Sequence, residues 1–111
     1  MSFGVDVGQD GRWSVVAISG EVDLATAPRV RDEITALLAK GMTDVVVDMR
    51  GVGFIDSSGL GVLIGALKRI RSHDGEMRLV CDSPTILRVL AITGLDQIFT
   101  VHRSIADLDP Q

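Results

Sequence analysis

Three consecutive β-branched residues, Val45-Val46-Val47, stand between two stretches of helical periodicity. A strand that is apolar at every position is buried on both faces, as in the middle of a mixed or parallel sheet covered by helices. The hydrophobic fraction of 46% and mean hydropathy of +0.32 fit several such buried elements. At 111 residues the chain is one domain, long enough for a continuous core. No apolar run reaches the roughly 18 residues of a membrane helix. The opening MSFGVDVGQDGRW has neither the basic nor the long apolar region of a signal peptide. Cys81 is the single cysteine, so an internal disulfide is impossible and a reducing cytoplasm is the expected home.

The pattern around the valines sets the topology. Val5 and Val7 alternate with polar neighbours, QDG (9–11) supplies a turn, and Trp13 to Ser19 reads as a second strand, giving a hairpin. Pro28 opens a helix carrying Val30, Ile34, Leu37 and Leu38, which Gly41 ends. After the valine strand and a glycine-containing loop, a second helix is expected from about Ser57 to Arg71. Its buried stripe is Leu60, Leu63, Ile64, Leu67 and Ile70. Asp74-Gly75 turns into a strand over Met77 to Cys81, and Ser83-Pro84 starts a third helix that Gly94 stops. Ile98 to Val101 adds a short strand, and Ser104 is expected to cap a terminal helix over IADL. The order β-β-α-β-α-β-α-β-α implies an α/β domain. Its mixed sheet has four or five strands, about four helices lie largely on one side, and the segment around the second helix is a right-handed parallel crossover.

Chemistry is scarce. His73 and His102 lie in a turn and near the C-terminal end, without metal-ligand spacing, and read as solvated surface residues. There is no nucleophile elbow, phosphate loop or dinucleotide fingerprint, so no cofactor, metal or catalytic residue is assigned. Eleven Lys and Arg against 15 Asp and Glu give a net charge of −4, and KRIR (68–71) is the one basic run. An acidic chain whose aromatics are Phe3, Trp13, Phe54 and Phe99 is a poor nucleic-acid binder. Cys81 reads as a small buried hydrophobe rather than a redox sensor.

The stretch FIDSSGLGVL (54–63) is the exception. Asp56, Ser57 and Ser58 stand where the second helix begins, and three readings compete: a helix cap, a catalytic nucleophile, or a serine that another enzyme modifies. A nucleophile needs a base, and nothing local provides one beyond Asp56. A cap needs one such residue, either Asp56 or Ser57, and is worth about 1 kcal/mol. Three are present.

The helix beyond them is also unusual. At 100° per residue from Ser57, the apolar side chains cluster near about 220–300°. The opposite arc holds Ser57, Ser58, Gly61, Gly65, Lys68 and Arg69. Two glycines on one face cost a helix roughly 1 kcal/mol each against alanine. A bare strip beside the serines suits a partner that brings its surface close; the alternative is that another element of the domain packs there. A phosphate on a serine here adds about −1.5 to −2 charges. The helix N-terminus tolerates that anion, so modification changes the surface more than the fold.

With these residues in view, the chain resembles the anti-anti-sigma factors (anti-sigma factor antagonists), single STAS domains of bacterial partner-switching systems. The resemblance covers nearly the whole chain, 1–111. It rests on GEVD (20–23), VVVDM (45–49), FIDSSGLGVLIGALKRI (54–70), MRLVC (77–81) and ITGL (92–95).

The resemblance implies a cytoplasmic regulator of transcription in stress response or sporulation, not an enzyme. It implies that the first serine after the aspartate, Ser57, is phosphorylated by an anti-sigma factor that is itself a serine kinase. The unmodified form then binds that kinase and frees the sigma factor, and a metal-dependent serine phosphatase resets the system. Asp56 matches the acidic residue before the target, and Asp23 matches an aspartate in the loop after the second strand. Together with Ser58, Gly59, Gly61, Gly65 and Lys68 these form the expected partner surface, on a monomer or weak dimer without nucleic-acid or membrane contacts. The rival within the same fold is an unphosphorylated scaffold or ligand-sensing module of a larger assembly.

Overall fold

A two-residue connection, Gly11-Arg12, sets Asp10 opposite Trp13. Gly11 takes the positive φ of 59°, the backbone conformation that tight hairpins draw from glycine. The hairpin strands are β1 (Gly4–Asp10) and β2 (Trp13–Val22). In the computed structural model, which describes residues 2–108, there follow α1 (Ala27–Ala39), β3 (Asp44–Ile55) and α2 (Ser57–Ser72). The chain continues through β4 (Glu76–Val80), α3 (Pro84–Ile92) and β5 (Thr100–His102), with 3-10 turns at Leu95–Gln97 and Ile105–Asp107. β1 is antiparallel to β2, the other neighbours are parallel, and the five strands lie in the order β1-β2-β3-β4-β5.

Strand alternation divides the molecule into two layers of unequal thickness. Val16, Ile18, Val45, Val47, Met49 and Leu79 enter the main core with Val30 and Ile34 of α1, Leu63 and Leu67 of α2, and Leu90 of α3. The alternate residues Trp13, Val46 and Val80 form a smaller cluster, which Leu108 closes. The Trp13 ring lies under two guanidinium groups, Arg12 at 4.1 Å and Arg78 at 4.9 Å. Cys81 is fully buried in the main core, and burial pushes its thiol pKa up, as for an inert core residue. On β3, Asp48 receives the Nε and Nη2 of Arg50 at 2.9 and 2.8 Å and its backbone N–H at 3.1 Å. Burial alone raises a carboxyl pKa, but the hydrogen bonds and charge of Arg50 outweigh it and hold Asp48 below the usual range.

Two expectations need correction. RGVGF is not a loop: β3 runs on to Ile55, paired with β2 through two register shifts. Gly51 is the reason, because a Cβ there falls 2.9 Å from the Ile18 carbonyl. This glycine marks a close approach between strands rather than a break. The terminal helix over IADL is a single 3-10 turn, and Ser104 makes no side-chain cap. Leu108 is drawn into the cluster around Trp13, and its carbonyl accepts Nη1 of Arg78 at 2.9 Å, which diverts the backbone from a helical course. Three α-helices rather than about four are therefore present among the described residues.

Candidate functional site

β2 and β3 end side by side, with Val22 paired to Ile55. The Asp56 N–H carries the contact one residue further, donating to the Val22 carbonyl at 3.1 Å. Both strands then turn into helices, so Asp23 and Asp56 occupy equivalent positions at the carboxyl end of a parallel pair. That end is where open α/β sheets present their binding loops.

Asp56 is extended, with φ −107° and ψ −172°, and its side chain accepts the N–H groups of Ser58 at 2.9 Å and Gly59 at 3.1 Å. It is therefore the N-cap of α2, and the sequence alternatives resolve in its favour. Ser57 is the first helical residue and is exposed; its hydroxyl makes no hydrogen bond among the described residues. Ser58 is half-buried. Asp23 organises the approach to α1, its Oδ1 accepting the N–H groups of Ala25 and Thr26 at 3.0 and 3.1 Å. The Thr26 hydroxyl in turn accepts the Asp23 N–H at 2.9 Å and donates to the Glu21 carbonyl at 2.7 Å.

Gly61 and Gly65 face open space, with nothing within 4 Å of a Cβ at either position. Among the described residues, no other element of the domain covers this strip. Lys68 is exposed on the same arc, and Arg69 is half-buried with an Nε that finds no partner among the described residues. Gly59 differs and corrects its placement in the partner surface. It is buried, and a Cβ there meets Ile55 Cγ1 at 2.6 Å and Val22 Cγ1 at 2.8 Å. Its smallness lets α2 sit down on the strand ends. Leu60 and Ile64, expected in the buried stripe, are half-buried along its margin, while Ala66 joins Leu63, Leu67 and Ile70 inside.

Two apolar side chains at this end escaped the sequence reading. Phe54 is 46% exposed and Leu24, next to Asp23, is 77% exposed. Phe54 was legible in principle, since it alternates with buried Ile55 once RGVGF is read as strand. Leu24 sits in a short loop without periodicity, and no local pattern marks it.

The chemistry on offer is recognition. The Asp56 carboxylate is engaged by two backbone N–H groups, and neither histidine lies here: the His73 Nδ1 is 2.8 Å from the Arg69 carbonyl, and His102 lies beside Arg78. No group of three or more His, Cys, Asp or Glu side chains suited to a metal occurs among the described residues. No helix among them is long and apolar enough to cross a membrane.

The family model of the STAS domain matches residues 5–108. The chain is 34% identical over 101 residues to an anti-sigma-B factor antagonist of Bacillus subtilis (strain 168), covering 91% of this chain and 92% of the relative. It is 29% identical over 102 residues to an anti-sigma-B factor antagonist of Staphylococcus aureus (strain NCTC 8325 / PS 47), covering 92% and 94%. The crystal structure of an anti-sigma factor antagonist from Mycobacterium paratuberculosis superposes with a TM-score of 0.86 at 31% identity, over 96% of this chain and 90% of that one.

Proposed function

The chain belongs to the STAS domain family, and on that footing we propose that it is an anti-sigma factor antagonist, with residues 1–111 acting as one regulatory binding domain. Its unphosphorylated form binds an anti-sigma factor that is a serine kinase, which releases the sigma factor. Phosphate on Ser57 ends that binding, and a metal-dependent serine phosphatase restores it. The partner surface runs from Asp23, Asp56 and Ser58 along the Gly61–Gly65 strip to Lys68, with Leu24 and Phe54 as its apolar rim.

One observation carries the reading: Asp56 takes over the capping of α2 and leaves the Ser57 hydroxyl exposed at the head of a bare strip. A dianion added there sits at a helix N-terminus, which accommodates it within the folded domain. For a partner pressed onto the strip, the same dianion lies beside the Asp56 carboxylate and loses its water on binding. Moving a partner from 99% bound to 99% free requires about 5.5 kcal/mol, within reach of burying an uncompensated charge. The test is titration of the cognate anti-sigma factor with wild-type, Ser57→Asp and Ser57→Ala proteins. The alanine variant binds as wild type does and resists phosphorylation, while the aspartate variant binds at least about tenfold more weakly, a 1.4 kcal/mol difference. Equal affinity of Ser57→Asp and wild type contradicts the charge mechanism.

A further inference from the structure

α2 ends in three cations, Lys68, Arg69 and Arg71, none of which forms an ion pair among the described residues. Four arginines elsewhere in this acidic chain, Arg12, Arg31, Arg50 and Arg78, each bond a carboxylate within 3.3 Å. Lys68 and Arg71 are exposed, and water together with the negative end of the helix accounts for them. Arg69 differs. Its Nε is the only buried side-chain nitrogen or oxygen among the described residues that lacks a hydrogen bond. The rest of the guanidinium, equally without a protein partner, reaches solvent. A buried donor without an acceptor costs stability, which the helix dipole alone does not require.

Burial of Nε holds the guanidinium still. A helical side chain leans over the preceding turn, here Gly65, which is open, and Ala66, which is buried. The stem of Arg69 therefore packs at the margin of the bare strip and sets two preorganised Nη donors beside it. The strip then has ends of opposite sign. Asp23 and Asp56 lie at the Ser57 end, and Lys68 and Arg69 lie about 18 Å further along the axis, at roughly 1.5 Å per residue. An interface of ordinary size, roughly 800 Å² per partner and so about 30 Å across, covers both ends. We propose that Arg69 is the fixed anchor of the partner surface, its Nη donors taking a carboxylate, an Asp or Glu side chain, of the anti-sigma factor. The inference rests on the function proposed above. The anchor sets how the partner lies along α2, with its acidic group over Arg69 and its kinase site over Ser57.

Titration calorimetry of the native host's anti-sigma serine kinase into the full chain tests the anchor. Arg69→Met keeps the apolar stem and removes the charged fork. It is expected to weaken binding about tenfold and to reduce the salt dependence of binding between about 50 and 500 mM. Its melting temperature is expected to equal or exceed that of wild type, because the orphaned donor is gone. Arg71→Met changes net charge equally, lies about 200° round the helix from Arg69 and is expected to bind as wild type does. Arg69→Met binding as tightly as wild type overturns the anchor and leaves the antagonist reading standing. Equal losses of affinity in the two variants, or a lowered melting temperature in Arg69→Met, overturn it as well. If no anti-sigma serine kinase of the host binds the wild-type chain, the antagonist reading itself fails and the anchor falls with it.

Discussion

The Asp56 carboxylate accepts the Ser58 backbone N–H at 2.9 Å, reaching over Ser57 to close the helix that Ser57 begins. This division of labour accounts for a polar cluster larger than a cap requires. One residue holds the helix start, and the next is left with an exposed hydroxyl.

The cap and the exposed hydroxyl separate in stability measurements. Asp56→Ala is expected to lower unfolding free energy by about 1 kcal/mol, and Ser57→Ala to change it by less than about 0.5 kcal/mol. Urea denaturation followed by circular dichroism reads both. Equal losses for the two variants contradict the assignment of the cap to Asp56.

The glycines of α2 should divide into two classes. Gly61→Ala and Gly65→Ala place a methyl in open space and are expected to raise stability by about 0.5–1 kcal/mol each. The same methyls weaken docking of the anti-sigma partner, because they hold its surface off the strip. Gly59→Ala forces a methyl against Ile55 and Val22 and is expected to cost about 1–3 kcal/mol. Melting temperatures together with partner affinity distinguish the classes. A Gly61→Ala protein that is more stable and binds equally well removes the strip from the interface.

Acid stability should depend on Asp48. Its carboxyl pKa is lower folded than unfolded, since Arg50 outweighs the effect of burial, so unfolding takes up a proton at acid pH. The stabilisation is complete above about pH 4 and is lost as pH falls through the depressed folded value. The Arg50 side chain is 42% exposed and therefore screened, which limits the contribution to about 1 kcal/mol. Glu76, paired with Arg78 and Arg12, is shifted in the same direction. Asp48→Asn is expected to lose about that much stability at pH 7 and to show a shallower decline between pH 5 and 2 in denaturation curves. An unchanged slope refutes this role for the pair.

The arc of Gly61, Gly65 and Lys68 was legible in the sequence because helical periodicity alone sorts residues into faces. The cap at Ser83 and the stops at Gly41 and Gly94 were legible because each uses local backbone chemistry, whereas the cap of α2 was legible only as Asp56 or Ser57, since both side chains are suited to it and the extended backbone of Asp56 decides between them. The length of β3 was not, since a glycine in a strand and a glycine in a loop look alike until the neighbouring strand is present; Gly51 is explained by the Ile18 carbonyl, far away in sequence. The same holds for Gly59, whose reason is Val22. IADL misled because a helix-like pattern at the chain end yielded to a tertiary contact, the burial of Leu108 under Arg78.

The most direct test of the account is a phosphopeptide map of the protein isolated from its native host. Trypsin releases residues 51–68 as GVGFIDSSGLGVLIGALK, which carries both candidate serines. Phosphate is expected on Ser57 and is absent from a Ser57→Ala protein. Phosphate on Ser58 alone, or an unmodified peptide under every growth condition, contradicts it.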